Sequence, residues 1–397
     1  MIWLGISVDR ALDNLALYVH WPFCVSKCPY CDFNSHVRTS FDQDQWREAL
    51  LADLAHEARL LPGRTLTSIF FGGGTPSLMD PATVAAIIGA ARDHWVAAND
   101  VEITLEANPN SVEAARFADI AAAGVNRLSL GLQSFDDQAL AFLGRAHSAL
   151  EGWKALEIAQ KRFRRVSFDL IYALPGDTED RWSAMLAQAL SLGTRHLSLY
   201  QLTIEPGTRF ASMAAKREFE PLDTDAAAAL YDLTDDMTSA AGLPAYEISN
   251  YARRGQESRH NLTYWRYGDY AGIGPGAHGR RLGMRTVRHR KPENFLSAIA
   301  RNGHGIAEEA PLSAVEAADE ALVMGLRLSE GIDADAIASR FGLVPVDWGR
   351  VDRLAGSGHL TRDGARIALT AKGRLLLDAI LGEIAVAGEP IPLAVAG

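Results

Sequence analysis

The sequence predicts an α/β fold: a partial parallel (β/α)6 TIM-like barrel, followed by a smaller, mainly helical winged-helix-like C-terminal domain. Between residues 15 and 205, short β-branched and aromatic runs alternate with longer amphipathic stretches, a pattern typical of repeated βα units. Each connecting segment is long enough to return the chain to a parallel strand. Beyond residue 310 the alternation gives way to short helices and a hairpin. A doubly wound parallel sheet is the competing architecture.

The six predicted strands of the barrel lie at residues 16–23, 68–71, 101–106, 127–132, 166–173 and 197–202. Helical periodicity places the crossovers at residues 44–60, 81–95, 111–123, 138–143, 150–162 and 178–192. Barrels and doubly wound sheets both bind ligands at the carboxyl ends of their strands. Polar and glycine-rich residues follow nearly every predicted strand, so we expect the functional site at that rim.

The remaining chain divides into an extension of the barrel and a separate unit, with predicted domains at residues 15–290 and 310–385. In the extension, residues 222–241 are expected to form a helix, and the aromatic runs 246–251 and 264–270 to form strands. The terminal unit has predicted helices at 315–328, 334–341 and 348–354, then a strand segment 360–370 with a turn at Asp363-Gly364. Residues 311–397 hold eight Lys/Arg against twelve Asp/Glu. This balance favours a packing or lid domain over a DNA-binding one.

Composition excludes several classes of protein. With 397 residues, 48% of them hydrophobic and 22% charged, the chain is globular rather than fibrous or disordered. Its formal net charge of −10 disfavours nucleic acid as a partner, because such binding needs a basic field. No apolar run is long enough to span a membrane, and residues 1–17 carry charges where a signal peptide would be apolar. These features predict a cytoplasmic protein.

Only three cysteines occur, and all lie within eight residues: Cys24, Cys28 and Cys31. An odd, closely spaced set is unsuited to a disulfide framework but suits a metal centre. Three thiolates leave one position of a four-ligand site open. In a [4Fe-4S] cluster they would bind three irons and leave the fourth free to chelate a small molecule. The alternative is a structural zinc site completed by His20 or His36.

The cysteine loop, with Tyr30 before its last cysteine, resembles the hallmark of the radical S-adenosylmethionine superfamily. Within it, the chain resembles the oxygen-independent coproporphyrinogen dehydrogenases and the related heme chaperones. Six motifs between residues 15 and 279 carry this resemblance: Tyr18-Val-His-Trp-Pro-Phe-Cys24, Cys28-Pro-Tyr-Cys31-Asp-Phe33, Phe71-Gly-Gly-Gly-Thr-Pro76, Leu105-Glu-Ala-Asn-Pro109, Leu130-Gly-Leu-Gln-Ser-Phe135 and Asp169-Leu-Ile-Tyr-Ala-Leu-Pro175.

The resemblance implies that a [4Fe-4S] cluster, reduced by an electron donor, passes an electron to bound S-adenosylmethionine and releases methionine and a 5′-deoxyadenosyl radical. Backbone groups of the triple glycine are expected to meet the cofactor, and the Glu106 carboxylate its hydroxyls or ammonium. An ordinary turn, and a salt bridge from Glu106 to Arg127 or Arg145, are the structural alternatives. The residues expected to bind S-adenosylmethionine or a second nucleoside-type ligand are Tyr18, Tyr30, Gly73, Gly74, Thr75, Glu106, Gln133, Arg145 and Asp169.

Two departures point from the dehydrogenases towards the chaperones. Phe33 stands where the dehydrogenases carry a further cysteine, and the chain before Cys24 is shorter. His260-Asn-Leu-Thr-Tyr-Trp265 resembles a signature of the chaperone branch, which implies heme as a third cofactor with His260 as its iron ligand. A structural histidine in an aromatic core is the alternative. Six cations between residues 280 and 291 suit heme propionates or an acidic partner, or else a solvated hairpin.

We therefore expect a heme chaperone that transfers heme to acceptor proteins, including a membrane protein contacted transiently. We expect it to be capable of S-adenosylmethionine cleavage but to lack coproporphyrinogen dehydrogenase activity. The alternative function is that dehydrogenase, which decarboxylates propionates to vinyl groups. A third reading, a zinc-bearing regulator that binds DNA through its terminal helices, is disfavoured by the acidic terminal unit.

Overall fold

An eleven-stranded sheet dominates the computed structural model, which describes residues 13–38 and 40–386. The expectation that residues 1–17 do not form a signal peptide concerns residues that lie largely outside the described ranges. The strands are β1 (Asn14–Trp21), β2 (Phe23–Cys24), β3 (His36–Val37), β4 (Thr65–Gly73), β5 (Val96–Ala107), β6 (Arg127–Gln133), β7 (Arg165–Tyr172), β8 (His196–Gln201), β9 (Asn250–Ala252), β10 (Tyr270–Ile273), β11 (His278–Arg281), β12 (Met284–Arg288), β13 (Ile306–Pro311), β14 (Ile332–Asp333), β15 (Leu360–Asp363) and β16 (Arg366–Leu369).

Helices connect most of these strands, and several begin at a side chain that caps the first turn. Ser148 and Glu151 form a capping box, as do Ser313 and Glu316. The helices are α1 (Gln43–Leu60), α2 (Pro81–His94), α3 (Ser111–Ala115), α4 (Phe117–Ala122), α5 (Asp137–Phe142), α6 (Ala149–Arg162), α7 (Glu179–Ser191), α8 (Arg209–Ala215), α9 (Thr224–Ala240), α10 (Arg259–Trp265), α11 (Pro292–Asn302), α12 (Ala314–Leu326), α13 (Ala334–Phe341), α14 (Trp348–Gly356), α15 (Ala371–Arg374) and α16 (Leu377–Ile384).

The predicted partial parallel barrel is confirmed. Strands β1, β4, β5, β6, β7 and β8 pair in that order and all run parallel. The sheet order is β13-β12-β11-β10-β1-β4-β5-β6-β7-β8-β9, so the described strands form an open sheet. The alternation along β6 explains its two faces: Leu128, Leu130 and Leu132 join the main hydrophobic core, while Arg127 and Ser129 face the other way, into the lumen.

The extension after β8 differs from its prediction. The prediction of a strand at residues 264–270 is wrong, because Tyr264 and Trp265 end α10, residues 266–269 form a turn and its continuation, and only Tyr270 enters a strand. Ser258 caps α10 by accepting a hydrogen bond from the Asn261 N–H. Strand β10 then pairs parallel with β1, which places β1 inside the sheet. Strands β11 to β13 continue the sheet in antiparallel fashion.

The terminal unit has its own hydrophobic core, in which α12, α13 and α14 pack beside a three-stranded sheet of order β14-β16-β15. The three predicted helices are present, and the hairpin of β15 and β16 turns at the expected position, where Gly364 has a φ of 60°. Within residues 13–38 and 40–386, no helix combines the length and apolar character needed to cross a bilayer.

The cationic stretch of the extension is divided between surface and interior: Arg285, Arg290 and Lys291 are exposed, whereas Arg280, Arg281 and Arg288 are buried. Arg281 is 3% exposed and Arg288 is fully buried. Arg288 pairs with Asp53 at 3.3 Å and with Glu57 at 2.5 Å, and Arg281 pairs with Glu57 at 2.6 Å. These arginines face inwards because α1 presents two buried carboxylates that need partners. The network attaches the extension to α1.

Candidate functional site

The three cysteines lie on the loop between β2 and β3 at the carboxyl end of β1. Cys24 ends β2 opposite Val37 of β3, and the Cys31 N–H donates to the Cys28 carbonyl at 3.1 Å. Burial raises the pKa of the Cys24 thiol, a hydrogen bond from Thr75 opposes this, and Cys31 and Cys28 raise it further. The three sulfur atoms therefore influence one another electrostatically within one short loop.

A chain of hydrogen bonds joins two of these cysteines through three other loops. The Thr75 hydroxyl donates to the Cys24 sulfur at 3.4 Å and accepts from Asn108 Nδ2 at 3.1 Å. Asn108 Oδ1 accepts from Arg145 Nη2 at 2.6 Å, and Arg145 Nη1 lies 3.4 Å from the Cys28 sulfur. Donors aimed at sulfur stabilise thiolates, so this arrangement fits the anionic ligands of a cluster.

The glycines at the end of β4 leave no space for side chains. A Cβ on Gly73, whose φ is +110°, would lie 2.7 Å from the His20 ring. A Cβ on Gly74 would lie 2.6 Å from the Phe23 carbonyl oxygen. Close approach of β4 to the cysteine loop thus requires glycine at both positions.

The backbone amides of this turn are already occupied, which corrects part of the expectation for them. The Gly73 N–H donates to the Glu106 carboxylate, and the Gly74 N–H donates to the Trp21 carbonyl at 2.6 Å. The Thr75 N–H donates to the Phe23 carbonyl at 2.8 Å. The N–H groups of Gly73 and Gly74 are therefore not free to bind S-adenosylmethionine in this arrangement. Contact of their carbonyl oxygens with the cofactor stays a prediction.

Two partly buried carboxylates face each other in the barrel lumen, and neither forms a salt bridge with any residue that the structure describes. Burial raises the pKa of Glu106 to about 8, Asp169 adds to the rise, and the Gly73 N–H opposes it. Burial raises the pKa of Asp169 to about 6, against hydrogen bonds from Ser198 and Ser129. The alternative of a Glu106 salt bridge is not realised. Two unpaired carboxylates suit a cationic ligand, as the ammonium and sulfonium of S-adenosylmethionine would be.

Unsatisfied polar atoms lie beside these carboxylates. Gln133 Oε1 and Arg145 Nε are buried without a hydrogen-bond partner in the described part of the chain. Gln133 also has a φ of 67°, which is rare for a residue with a side chain. Orphaned buried atoms and unusual backbone angles concentrate at ligand sites. Both residues are therefore well placed for a polar ligand.

The two tyrosines occupy different surroundings. The Tyr18 hydroxyl lies 2.9 Å from His20 Nδ1, and its ring packs on Phe70 deep in the lumen. Tyr30 belongs to the cysteine loop and lies beside Cys28 and the Arg145 side chain. Burial opposes the charge of Arg145, but Tyr30 and Cys28 hold its pKa above the usual value. Tyr30 thus lies with the cluster residues, whereas Tyr18 lies lower in the barrel.

His260 is a buried histidine with both ring nitrogens engaged. Nδ1 lies 3.0 Å from the Ser68 hydroxyl, and Nε2 lies 2.6 Å from the Tyr264 hydroxyl. Burial and the nearby charge of Arg127 lower its pKa to about 3. This arrangement matches the structural alternative. Ligation of heme by His260 stays a prediction, and it requires that the Tyr264 hydroxyl leave Nε2.

The donor set fits a cluster better than a single metal ion. Among residues 13–38 and 40–386, no three His, Cys, Asp or Glu side chains are placed to hold one ion. His20 has both ring nitrogens engaged, Nδ1 with the Tyr18 hydroxyl and Nε2 with the Asn34 carbonyl, so it has no nitrogen left for zinc in this arrangement. A [4Fe-4S] cluster needs no such convergence, because each thiolate binds a separate iron.

Two residues of the site were not singled out from the sequence. Asn108 links Thr75 to Arg145, and the Ser35 hydroxyl lies 4.0 Å from the Cys31 sulfur. Asn108 stands in the Leu105-Glu-Ala-Asn-Pro109 motif, directly after a predicted strand end, and this position was the available signal. Ser35 carries no comparable pattern.

Comparison with known proteins agrees with this geometry. A model of the radical SAM superfamily matches residues 18–189, and one of the HemN C-terminal domain matches residues 312–376. Heme chaperone HemW of Escherichia coli (strain K12) is 38% identical over 93% of this chain and 98% of that protein. The Mus musculus protein named radical S-adenosyl methionine domain-containing protein 1, mitochondrial, is 41% identical over 82% of this chain and 76% of its own length.

A solved structure of Escherichia coli coproporphyrinogen III oxidase (HemN), described as a radical SAM enzyme, has the same fold. Its TM-score is 0.79 at 23% identity, with 94% of this chain and 91% of that chain covered. The likeness to HemN concerns the fold, whereas the HemW proteins of Escherichia coli and Mycobacterium tuberculosis are 38% and 37% identical over 93% and 92% of this chain. The chain therefore belongs to the HemW family of the radical S-adenosylmethionine superfamily.

Proposed function

We propose that the protein is a heme chaperone that binds a [4Fe-4S] cluster, S-adenosylmethionine and heme, and transfers heme to acceptor proteins. One observation carries the proposal: the cysteine loop and the Glu106–Asp169 pair meet at one rim of a chain that aligns with a heme chaperone over almost its whole length. The cluster, when bound, supplies an electron-transfer centre and an open iron position.

The chain's own residues have separate tasks in this proposal. Thr75 and Arg145 stabilise the thiolates of Cys24 and Cys28 by hydrogen bonds. Glu106 and Asp169 attract the cationic end of S-adenosylmethionine, and binding shifts them to the ionised form. Gln133 offers an unsatisfied acceptor to the nucleoside.

The partners are part of the proposal. The cluster needs an electron donor, and heme needs acceptor proteins, among them a membrane protein contacted transiently. Nucleic acid is not expected, given the net charge of −10. A cytoplasmic location stays a prediction from the sequence.

Heme loading and transfer test the proposal. Anaerobically purified protein with its cluster is titrated with hemin, and a Soret band is expected. The loaded protein is then mixed with heme-depleted membranes, with S-adenosylmethionine or S-adenosylhomocysteine present. Recovery of heme-dependent oxygen consumption is expected in excess of that given by free hemin. Absence of a Soret band, or recovery no greater than with free hemin, contradicts the proposal.

The fold shared with HemN makes coproporphyrinogen III dehydrogenation the second candidate. Phe33, which is 40% exposed, stands where the dehydrogenases that the sequence resembles carry a further cysteine. An anaerobic reaction with coproporphyrinogen III, a reductant and S-adenosylmethionine separates the candidates. No protoporphyrinogen IX is expected. Its formation in proportion to 5′-deoxyadenosine would instead establish the dehydrogenase.

A further inference from the structure

A cavity lies at the amino ends of the barrel strands, at the opposite rim from the cysteine loop. Its volume is about 290 Å³, and it is formed where β6, β7 and β8 begin. The first residues of these strands, Arg127, Arg165 and His196, all line it. The connections before β7 and β8 complete the wall with Arg164 and Arg195. Of these residues, Arg127 also acts on the site described above, where its charge lowers the pKa values of Glu106, Asp169 and His260.

The cavity is strongly cationic although the protein is acidic. Four arginines line it, and no aspartate or glutamate is among its lining residues. The whole chain has a formal net charge of −10. Arg164 and Arg195 are exposed, and neither forms an ion pair within residues 13–38 and 40–386. The local charge therefore opposes the overall charge and attracts anions into the cavity.

Arg127 is the strongest sign of a missing anion. It is only 3% exposed and is the cross-strand neighbour of Arg165. Arg165 Nη1 pairs with Glu102 at 2.5 Å, whereas Arg127 has only a hydrogen bond from Nη1 to the Thr104 hydroxyl at 3.4 Å. In the described part of the chain, no carboxylate forms a salt bridge with Arg127. The charge of Arg127 lowers the pKa values of Glu106 and Asp169, but neither carboxylate forms an ion pair with it. A buried cation without a directly paired anion is costly, and a bound anion would reduce that cost.

A polar atom in the same wall is also unsatisfied. The Thr194 hydroxyl is buried and has no hydrogen-bond partner among the residues that the structure describes. His196 adds no charge of its own, because its ring nitrogens contact the Ser167 and Tyr246 hydroxyls. Burial and the charges of Arg127 and Arg165 hold its pKa well below the usual value. The positive field of the cavity therefore comes from the arginines.

We propose that this cavity binds a small oxyanion with several negative charges, carried by phosphate or carboxylate groups. Guanidinium groups pair with both through two parallel hydrogen bonds. Arg165 is already paired with Glu102, and the other three arginines exceed the need of a single charge. The volume is close to the lower end of the range for small-molecule sites, about 300 Å³, which fits a compact ligand such as pyrophosphate or a tricarboxylate. The inference is independent of heme transfer.

The test uses the two exposed arginines, whose replacement leaves the core untouched. Calorimetry with pyrophosphate and with citrate, at constant ionic strength, compares the wild type with Arg164→Gln/Arg195→Gln. The control is Arg92→Gln/Arg301→Gln, which removes two exposed charges elsewhere. We expect saturable binding of at least one anion, about tenfold or more weaker in the first variant and unchanged in the control.

The two anions distinguish the carriers of charge: binding of pyrophosphate alone identifies phosphate groups, and binding of citrate alone identifies carboxylates. Chelation of cluster iron by either anion would be equal in all three proteins and would not mimic the expected difference. Arg127→Gln, checked for folding by circular dichroism, should abolish the rise in melting temperature that the bound anion gives the wild type. No saturable binding by the wild type, or equal affinity in wild type and Arg164→Gln/Arg195→Gln, would overturn the proposal.

Discussion

Arg145 Nη1 lies 3.4 Å from the Cys28 sulfur, and the same guanidinium donates to Asn108 Oδ1 at 2.6 Å. The loop after β6 thereby contacts the cysteine loop, which follows β1 on the other side of the lumen. A fixed positive charge beside a cluster ligand favours the more negative, reduced state of the cluster. Arg145 thus connects the two segments, and under the proposed function its charge would also affect the reduction potential of the cluster.

Replacing Arg145 by Gln should lower the reduction potential of the cluster. The loss of one adjacent charge is expected to shift it by up to about 60 mV, equivalent to ~1.4 kcal/mol for a one-electron couple. Potentiometric titration followed by electron paramagnetic resonance measures the shift. Lys154→Gln is the control, because Lys154 is an exposed cation on α6. Equal reduction potentials in the wild type and Arg145→Gln would show that the charge of Arg145 does not affect the cluster.

Each of the three cysteines should be required for the cluster, because loss of one thiolate leaves an iron without a protein ligand. Alanine variants of Cys24, Cys28 and Cys31 are expected to lose most of the iron, the sulfide and the broad absorbance near 400 nm. Val25→Ala, on the same loop and 66% exposed, should keep all three signals. Unchanged iron and sulfide in the triple variant would show that the cluster assignment is wrong.

Glu106→Gln should weaken binding of S-adenosylmethionine while the cluster stays intact. A charge-assisted hydrogen bond of about 1.5–3 kcal/mol corresponds to roughly a tenfold to hundredfold loss of affinity. Because the pKa of Glu106 is about 8, a cationic ligand competes with a proton, so wild-type affinity should rise as the pH approaches 8. Calorimetry at several pH values measures both effects. Asp180→Asn, an exposed carboxylate on α7, is the control.

The stability that Glu106 and Asp169 contribute to the ligand-free protein should fall as pH rises. Glu106 and Asp169 have folded-state pKa values of about 8 and about 6, above the ordinary values of 4.5 and 3.8. Folding therefore favours their protonated forms, and this stability is fully present below about pH 4 and lost through pH 6 to 8. Urea titrations should show the decline, and Glu106→Gln should flatten it above about pH 6. A stability that rises over this interval in the wild type would contradict the assignment.

Hemin titrations of two variants test the heme-ligand prediction for His260. Tyr264→Phe removes the hydroxyl 2.6 Å from Nε2, so hemin affinity should increase several-fold if that nitrogen binds iron, since a hydrogen bond is worth about 1 kcal/mol. His260→Ala should displace the Soret maximum. Tyr270→Phe is the control, because Tyr270 packs on the Tyr264 ring. An unchanged Soret maximum in His260→Ala would leave His260 a structural residue.

The sequence was most informative where the signal is local. Alternating leucines predicted β6, and the cysteine spacing identified the loop that the structure encloses with sulfur-directed donors. The same holds for α13, whose bounds agree with the prediction, because Asp333 caps it and Gly342 follows it in the left-handed region. Such signals depend only on neighbouring residues.

Features that depend on distant contacts were not predictable. The inward orientation of Arg288 depends on Asp53 and Glu57 of α1, and nothing around Arg288 signals those partners. The linking role of Asn108 arises only when the loops after β4, β5 and β6 meet. The aromatic run of α10 resembles a strand by composition, but the Ser258 cap and the His260–Tyr264 pair, one helical turn apart, favour a helix.

The pairing of β1 with both β4 and β10 has a consequence for synthesis on the ribosome. Tyr18 neighbours Phe70 on one side, a contact that forms early, but its other neighbour is Gly272, which emerges far later. Until then one edge of the strand that leads into the cysteine loop is unpaired, and such edges invite wrong partners during folding. The cysteine loop is therefore supported on both sides only after most of the chain has been translated, so the strand that leads into it gains its second neighbour late in synthesis.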